Sequence, residues 1–233
     1  MKRIYELLFI LFVVLPLFIC GDAHASEFIL YLNGGVAKIP MKEWTDFSSS
    51  ISYSEYRKDN FAVTYSCELE CTINPHHSIL LDLSYLTYHS DLYCTLVWTD
   101  EVGQPIGNST DHTHYHFSSY PIQMGYKVNP TLKIPCYFSI KLGYYFSKLQ
   151  TEYSPIYDNF GILDDFIGSV ERTGRGYGAS LHTGLQSTIT RDLLMCVEIS
   201  YRYANGMGFT DDPQAIKIEF SGFYFNVKFG YKF

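Results

Sequence analysis

Beyond its first twenty residues the 233-residue sequence has no long apolar run. A membrane helix needs roughly 18 consecutive apolar residues, so a helical membrane bundle is excluded. Positive charge is also scarce: 17 Lys and Arg stand against 24 Asp and Glu, a net charge of −7. A nucleic-acid binder would carry a basic field, and none is present. Charged residues make up only 18% of the chain and hydrophobic ones 47%, which excludes intrinsic disorder. Tryptophan is rare, at two residues, but 21 Tyr, 17 Phe and 17 Gly are unusually many. A soluble all-β protein or a membrane β-barrel remains.

The N-terminus reads as an export signal. Lys2 and Arg3 precede an apolar run from Leu7 to Ile19, and Ala23-His24-Ala25 has the small-x-small form of a cleavage site. Residues 1–25 are therefore expected to be removed, and residues 26–233 to form one domain. Pro16 interrupts the run and argues against an uncleaved anchor. Ile19 is too large to precede a lipid-modified Cys20. The mature chain would keep Cys67, Cys71, Cys94, Cys136 and Cys196, an odd number that cannot pair completely. Cys67 and Cys71, four apart on a strand, would sit roughly 13 Å from each other, too far for a disulfide or a shared metal. The cysteines are expected to act as small apolar residues.

The body of the chain alternates with period two. In residues 61–73 the odd positions Phe61, Val63, Tyr65, Cys67, Leu69, Cys71 and Ile73 are apolar, and Thr64, Ser66, Glu68, Glu70 and Thr72 lie between them. Such alternation marks a strand with two different environments. Its length exceeds the usual five or six residues of a soluble strand and suits a tilted membrane strand of roughly 9–11. The pattern recurs around residues 79–85, 120–128, 138–147, 177–186, 193–203 and 216–233, after an opening strand from Phe28 to Ala37. About eight strands result. In the last segment the phase changes near Ser221-Gly222, where a bulge is expected.

Connection lengths give the topology. Asn74-Pro75-His76, residues 129–135 and Thr190-Arg191-Asp192 are short turns. The connections at 38–60, 89–116, 151–174 and 204–215 are long and polar. Short turns at one end and long loops at the other describe an eight-stranded antiparallel up-and-down transmembrane β-barrel. A lipocalin-like soluble barrel would give the same alternation with its apolar face inward; strand length and the wealth of Tyr and Phe favour the membrane form.

With the apolar face toward lipid, the lumen receives Glu68, Glu70, Asp82 and Glu198 together with Lys127, Lys141, Arg202 and Lys228. An eight-stranded barrel is only wide enough for its own side chains. Opposite charges there should pair, because an unpaired buried charge is costly. A plugged lumen is expected, with Gly143, Gly176, Gly178, Gly184 and Gly230 facing inward to make room.

The segments Tyr120-Pro121-Ile122-Gln123-Met124-Gly125-Tyr126-Lys127, residues 140–146, Gly176-Tyr177-Gly178-Ala179 with Gly184-Leu185, and residues 197–203 resemble the small outer-membrane β-barrel proteins of the OmpA/OmpX/OmpW-like kind. The aromatic Phe229, Tyr231 and Phe233 resemble the terminal signal that such proteins present to the barrel-assembly machinery. The resemblance implies a bacterial outer-membrane address, outer-membrane lipid and lipopolysaccharide as surroundings, and a monomer. It implies no activity. Five cysteines are more than such barrels usually carry.

Little in the sequence suggests catalysis or a cofactor. His112, His114 and His116 alternate in the second long connection, with His89, Asp91 and Cys94 on the arm before it. These residue types suit zinc or copper, but same-face neighbours nearly 7 Å apart would have to converge. The expected reading is a solvated surface without metal. His77-Ser78 and His89-Ser90 are adjacent pairs that match no known lipid-deacylase pattern, and His182 is followed by Thr183-Gly184. No catalytic, cofactor or metal residues are assigned. The expected role is structural or interactive, through extracellular loops that meet envelope or extracellular protein partners. The alternative is a narrow porin-like path for small or hydrophobic solutes, with lipid A modification a weaker third.

Overall fold

In the computed structural model, the described residues are 27–39, 54–59, 61–99, 105–158, 168–209, 217–218 and 221–233. Ten strands run in chain order: β1 Glu27–Lys38, β2 Ser54–Asp59, β3 Ala62–Asn74, β4 His77–Thr99, β5 Pro105–Val128, β6 Cys136–Asp158, β7 Gly168–Thr188, β8 Leu193–Phe209, β9 Lys217–Ile218 and β10 Gly222–Lys232. Eight of them pair antiparallel with their neighbours around a ring, β1-β3-β4-β5-β6-β7-β8-β10. β10 closes the ring by pairing with β1 (Ile29 opposite Lys232) and with β8 (Val227 opposite Val197). Closure removes every free sheet edge that lipid could not hydrogen-bond. β2 and β9 are short additions to β4 and β8.

The turns at one end are built by local chemistry. Asn74 accepts a hydrogen bond from the backbone N–H of His76 at 2.9 Å, which tightens the β3–β4 turn. Thr190 likewise accepts from the N–H of Leu193 at 3.2 Å in the β7–β8 turn. The chain ends at the same side, where the N–H of Phe233 donates to the carbonyl of Phe28 at 2.9 Å and Lys232 pairs with Glu27 at 2.6 Å.

The alternation sets the two faces as the sequence implies. Leu83, Leu142, Leu181 and Phe223 on the outer wall are each more than half exposed, whereas Glu68, Asp82, Lys141 and Glu198 are no more than 3% exposed. A soluble barrel requires the reverse, so the lipocalin-like alternative fails and the fold is a transmembrane β-barrel.

Three expectations are corrected. The connections at 89–116 and 151–174 are mostly strand: β4 and β5 stay paired from His77 opposite Val128 to Thr99 opposite Pro105, and β6 and β7 to Tyr153 opposite Gly168. Polar alternation past the membrane still satisfies the ladder, so hydrophobicity alone places the strand ends too early. The connection at 38–60 contains β2, and β8 continues to Phe209. The phase change near Ser221-Gly222 falls between β9 and β10, not at a bulge inside a strand; β10 keeps one alternation throughout. Third, Cys71 is disulfide-bonded, unlike the free Cys67, Cys136 and Cys196, and so is not merely a small apolar residue. The expected signal peptide, residues 1–25, and the side chain of Cys94 lie outside the described residues.

Candidate functional site: the lumen and the histidine face

The eight charged residues expected inside the barrel are all there and all at least 95% buried. Lys127 lies 2.7 Å from Glu70 and donates to Gln186 at 2.9 Å. Lys141 joins Glu68 and, at 2.6 Å, Asp82. Lys228 spans Glu198 at 2.7 Å and Glu68 at 3.1 Å. The pairs run across the lumen, since Lys141 is on β6 and Lys228 on β10 while Glu68 is on β3. Glu198 also accepts from Tyr137 at 2.8 Å, from His182 Nδ1 at 2.9 Å and from Asn226 at 3.1 Å.

Arg202 departs from this pattern. Its guanidinium lies 4.4 Å from the ring centre of Tyr224 and 5.8 Å from that of Tyr145, a cation–π arrangement, and it pairs with no carboxylate among the described residues.

The network is bracketed by apolar side chains that the sequence reading did not single out. Toward the extracellular end, Leu86, Tyr88, Phe117, Tyr145, Leu149 and Tyr224 pack together inside the barrel. Toward the periplasmic end, Ile29, Tyr31, Tyr137, Leu194 and Cys196 do the same. The signal was present in the phase: Leu86 and Tyr88 share the inward parity of Asp82, and Tyr137 and Tyr145 that of Lys141. The inward glycines serve these rings. A Cβ on Gly184 would come within 2.8 Å of three atoms of Tyr137, and one on Gly230 within 2.6 Å of two atoms of Tyr31.

One constellation was missed in the sequence. Ser180, His182 and Glu198 are linked in series, with His182 Nδ1 on Glu198 and His182 Nε2 2.7 Å from the Ser180 hydroxyl. This is the connectivity of a serine–histidine–acid triad. Ser180 and His182 are two apart on β7, and Glu198 comes from β8, so a search for adjacent pairs overlooks them. Ser180 is 2% exposed, and it also accepts from Gln123 at 3.2 Å. A nucleophile needs a path for its substrate, and Ser180 is buried; the same hydrogen bonds satisfy the polar groups of Ser180, His182 and Glu198. Of the adjacent pairs, His77 faces outward and stacks on Tyr126 at 5.7 Å, whereas Ser78 is fully buried on the other face.

The histidines of β5 lie on the outer wall, as their alternation implies, and His89 and Asp91 of β4 join them. His112 Nε2 and His114 Nδ1 both donate to the same oxygen of Asp91, at 3.0 and 2.8 Å. His89 stacks on His116 at 4.3 Å and on His114 at 5.8 Å, and Tyr93 stacks on His112 at 4.6 Å. Asp91 is held below the usual carboxylate range by the His114 hydrogen bond first, against the opposing effect of burial, and then by His112. Burial keeps the His116 imidazole below its ordinary value, and the neighbouring His89 and His114 add to this. Among the described residues no group of three or more His, Cys, Asp or Glu side chains is arranged to hold a metal ion.

No protein-family description and no curated protein matches the sequence. Solved structures are similar at the level of chain course. Ail, the attachment invasion locus protein of Yersinia pestis, aligns over 89% of this chain and 99% of its own at 10% identity and a TM-score of 0.44. The outer membrane protein OprG from Pseudomonas aeruginosa aligns over 90% and 96% at 10% identity and 0.46. The outer membrane protease OmpT from Escherichia coli aligns over 91% and 98% at 10% identity and 0.43. Likeness this loose carries no role from any of them to this chain; the closed ring of strands stands on its own pairings.

Proposed function

We propose that the protein is an integral bacterial outer-membrane barrel with a closed lumen, and that it acts as a rigid anchor for its extracellular strand extensions. The observation that carries this reading is the cross-lumen ion network, capped at both ends by apolar side chains. The Lys127–Glu70, Lys141–Asp82 and Lys228–Glu68 pairs join strands that are not neighbours, and so fill the bore that a solute would need. The extracellular halves of β4, β5 and β6 project a paired, polar platform on which envelope or extracellular protein partners can be met. Lipopolysaccharide and other outer-membrane lipid surround the apolar wall. Phe233, 71% exposed beside Tyr231, is available to the barrel-assembly machinery. The barrel works as a monomer and without catalysis.

The test is single-channel conductance of the refolded mature protein in planar bilayers. Protein that shows the heat-modifiable gel shift of a folded barrel is expected to be silent. Stable conductance steps would overturn the closed lumen and favour passage of small solutes.

A further inference from the structure

The histidine face is placed where the membrane surface must lie. His77 and Tyr126 mark the periplasmic rim and Tyr85 with Tyr120, their rings tilted against each other at 5.1 Å, the opposite one. Eight residues of β4 separate His77 from Tyr85, roughly 20 Å of height at the usual strand tilt of about 40°. His89 follows four residues later, roughly 30 Å above the turn and just beyond an apolar band about 25 Å tall. The side chains of His89 and His116 point outward at that level, toward the headgroups of the outer leaflet, and His114 and His112 follow in turn above them, opposite Asp91 and Tyr93.

Resting on the outer-membrane reading, we propose that this ladder is a docking site for anionic phosphate headgroups of outer-leaflet lipid, engaged as its imidazoles take up protons. The upper rungs are balanced within the protein, because Asp91 accepts from both His112 and His114. The His89–His116 rung is not. Its rings are stacked face to face, His116 is bonded to the hydroxyl of Thr87 at 3.2 Å, and neither ring meets a carboxylate among the described residues. Two imidazolium rings so close repel each other unless an anion lies against both.

Charges on the neighbouring strands act on this rung without an ion pair to either ring among the described residues. On β6, Lys148 and Glu152 act on His116, and Glu152 accepts from Gln150 at 2.9 Å. Lys148 is itself paired with Glu171 of β7 at 2.8 Å. On the other side, Lys58 of β2 stands opposite Asp91 in the strand register. An anionic headgroup at this height supplies a negative charge in contact with both rings, which Glu152, held by Gln150, does not, and the adjoining apolar wall accommodates its acyl chains.

The experiment reconstitutes the full mature barrel in phosphatidylcholine bilayers and measures association of spin-labelled phosphatidylglycerol relative to spin-labelled phosphatidylcholine. Phosphatidylglycerol keeps its charge over the range used, so pH acts on the protein. Its preference is expected to rise about five-fold from about pH 7.5 to about pH 5.5, the effect of one added positive charge near an anionic surface. The rise should vanish in His89→Asn/His116→Asn and persist in His77→Asn at the other rim. No rise, or a rise that survives His89→Asn/His116→Asn, would overturn the proposal. Displacement of phosphatidylglycerol by inorganic phosphate would assign the site to free phosphate and overturn its lipid assignment. The heat-modifiable gel shift separates the two readings, since a chain that fails to fold in the bilayer overturns the membrane barrel itself.

Discussion

Lys228 of β10 stands 2.7 Å from Glu198 of β8, and this pair gathers the centre of the lumen around it. Lys228 also reaches Glu68, while Glu198 takes hydrogen bonds from Tyr137, His182 and Asn226. Four strands are therefore tied through two side chains to β10, in addition to the backbone ladder.

Removing one member of this pair leaves charge stranded in a buried site. Lys228→Met is expected to destabilise the folded barrel by about 3–5 kcal/mol, the usual cost of a broken buried pair. The measurement is urea unfolding in detergent, followed by the heat-modifiable gel shift. Lys148→Met, whose pair with Glu171 is surface-exposed, should cost less than about 1 kcal/mol. Equal effects of the two substitutions would show that the lumen is wet and its charges screened.

The inward rings make a separate prediction. Gly184 sits where Tyr137 passes, and an added methyl group would displace the ring and its hydrogen bond to Glu198. Gly184→Ala should cost about 1–3 kcal/mol, the range for overpacking a filled interior. Pairing it with Tyr137→Phe tests the cause: if the lost hydrogen bond is the main effect, the two costs will not add. Full additivity would place the damage elsewhere.

Much of this interior was legible from period alone. Glu68, Asp82, Lys141 and Lys228 fell into one phase with little to compete, and a narrow barrel leaves such residues nowhere to go but toward each other. The reach of β4 and β5 beyond the membrane was not legible, because His112, Thr113 and His114 lack the apolar residues that advertise a strand, yet their backbone groups still pair. The Ser180–His182–Glu198 chain was hidden for another reason: it depends on the β7–β8 register, which places His182 opposite Ser200, two residues along the same inward face from Glu198. The Cys71 disulfide could not be found by spacing to Cys67.

That chain gives a prediction about reactivity. Ser180 has the partners of a nucleophile but is buried inside the barrel. A fluorophosphonate probe should leave Ser180 unlabelled in the folded barrel, as read by mass spectrometry of the peptide that contains it. Labelling in wild type that disappears in His182→Gln would show an accessible, activated serine and overturn the non-catalytic reading.

The extracellular hairpin should respond to acid where the membrane part does not. Asp91 and His116 both have folded-state proton affinities below their ordinary ones, the first through the hydrogen bond from His114, the second through burial. A depressed group contributes stability above its unfolded value, and that contribution is lost as pH falls through the folded value. The loss attributable to His116 therefore begins below about pH 6.5, and that attributable to Asp91 below about pH 3.9. In zwitterionic micelles, hydrogen exchange over residues 87–93 and 112–118 should quicken in these two steps, while residues 79–85 and 120–126 keep their protection. His116→Gln should remove the upper step and Asp91→Asn the lower. Uniform protection of the hairpin through both windows would mean that neither contact supports it. Anionic lipid should offset the upper step, because a headgroup against His89 and His116 favours the protonated imidazole that burial and the neighbouring histidines disfavour.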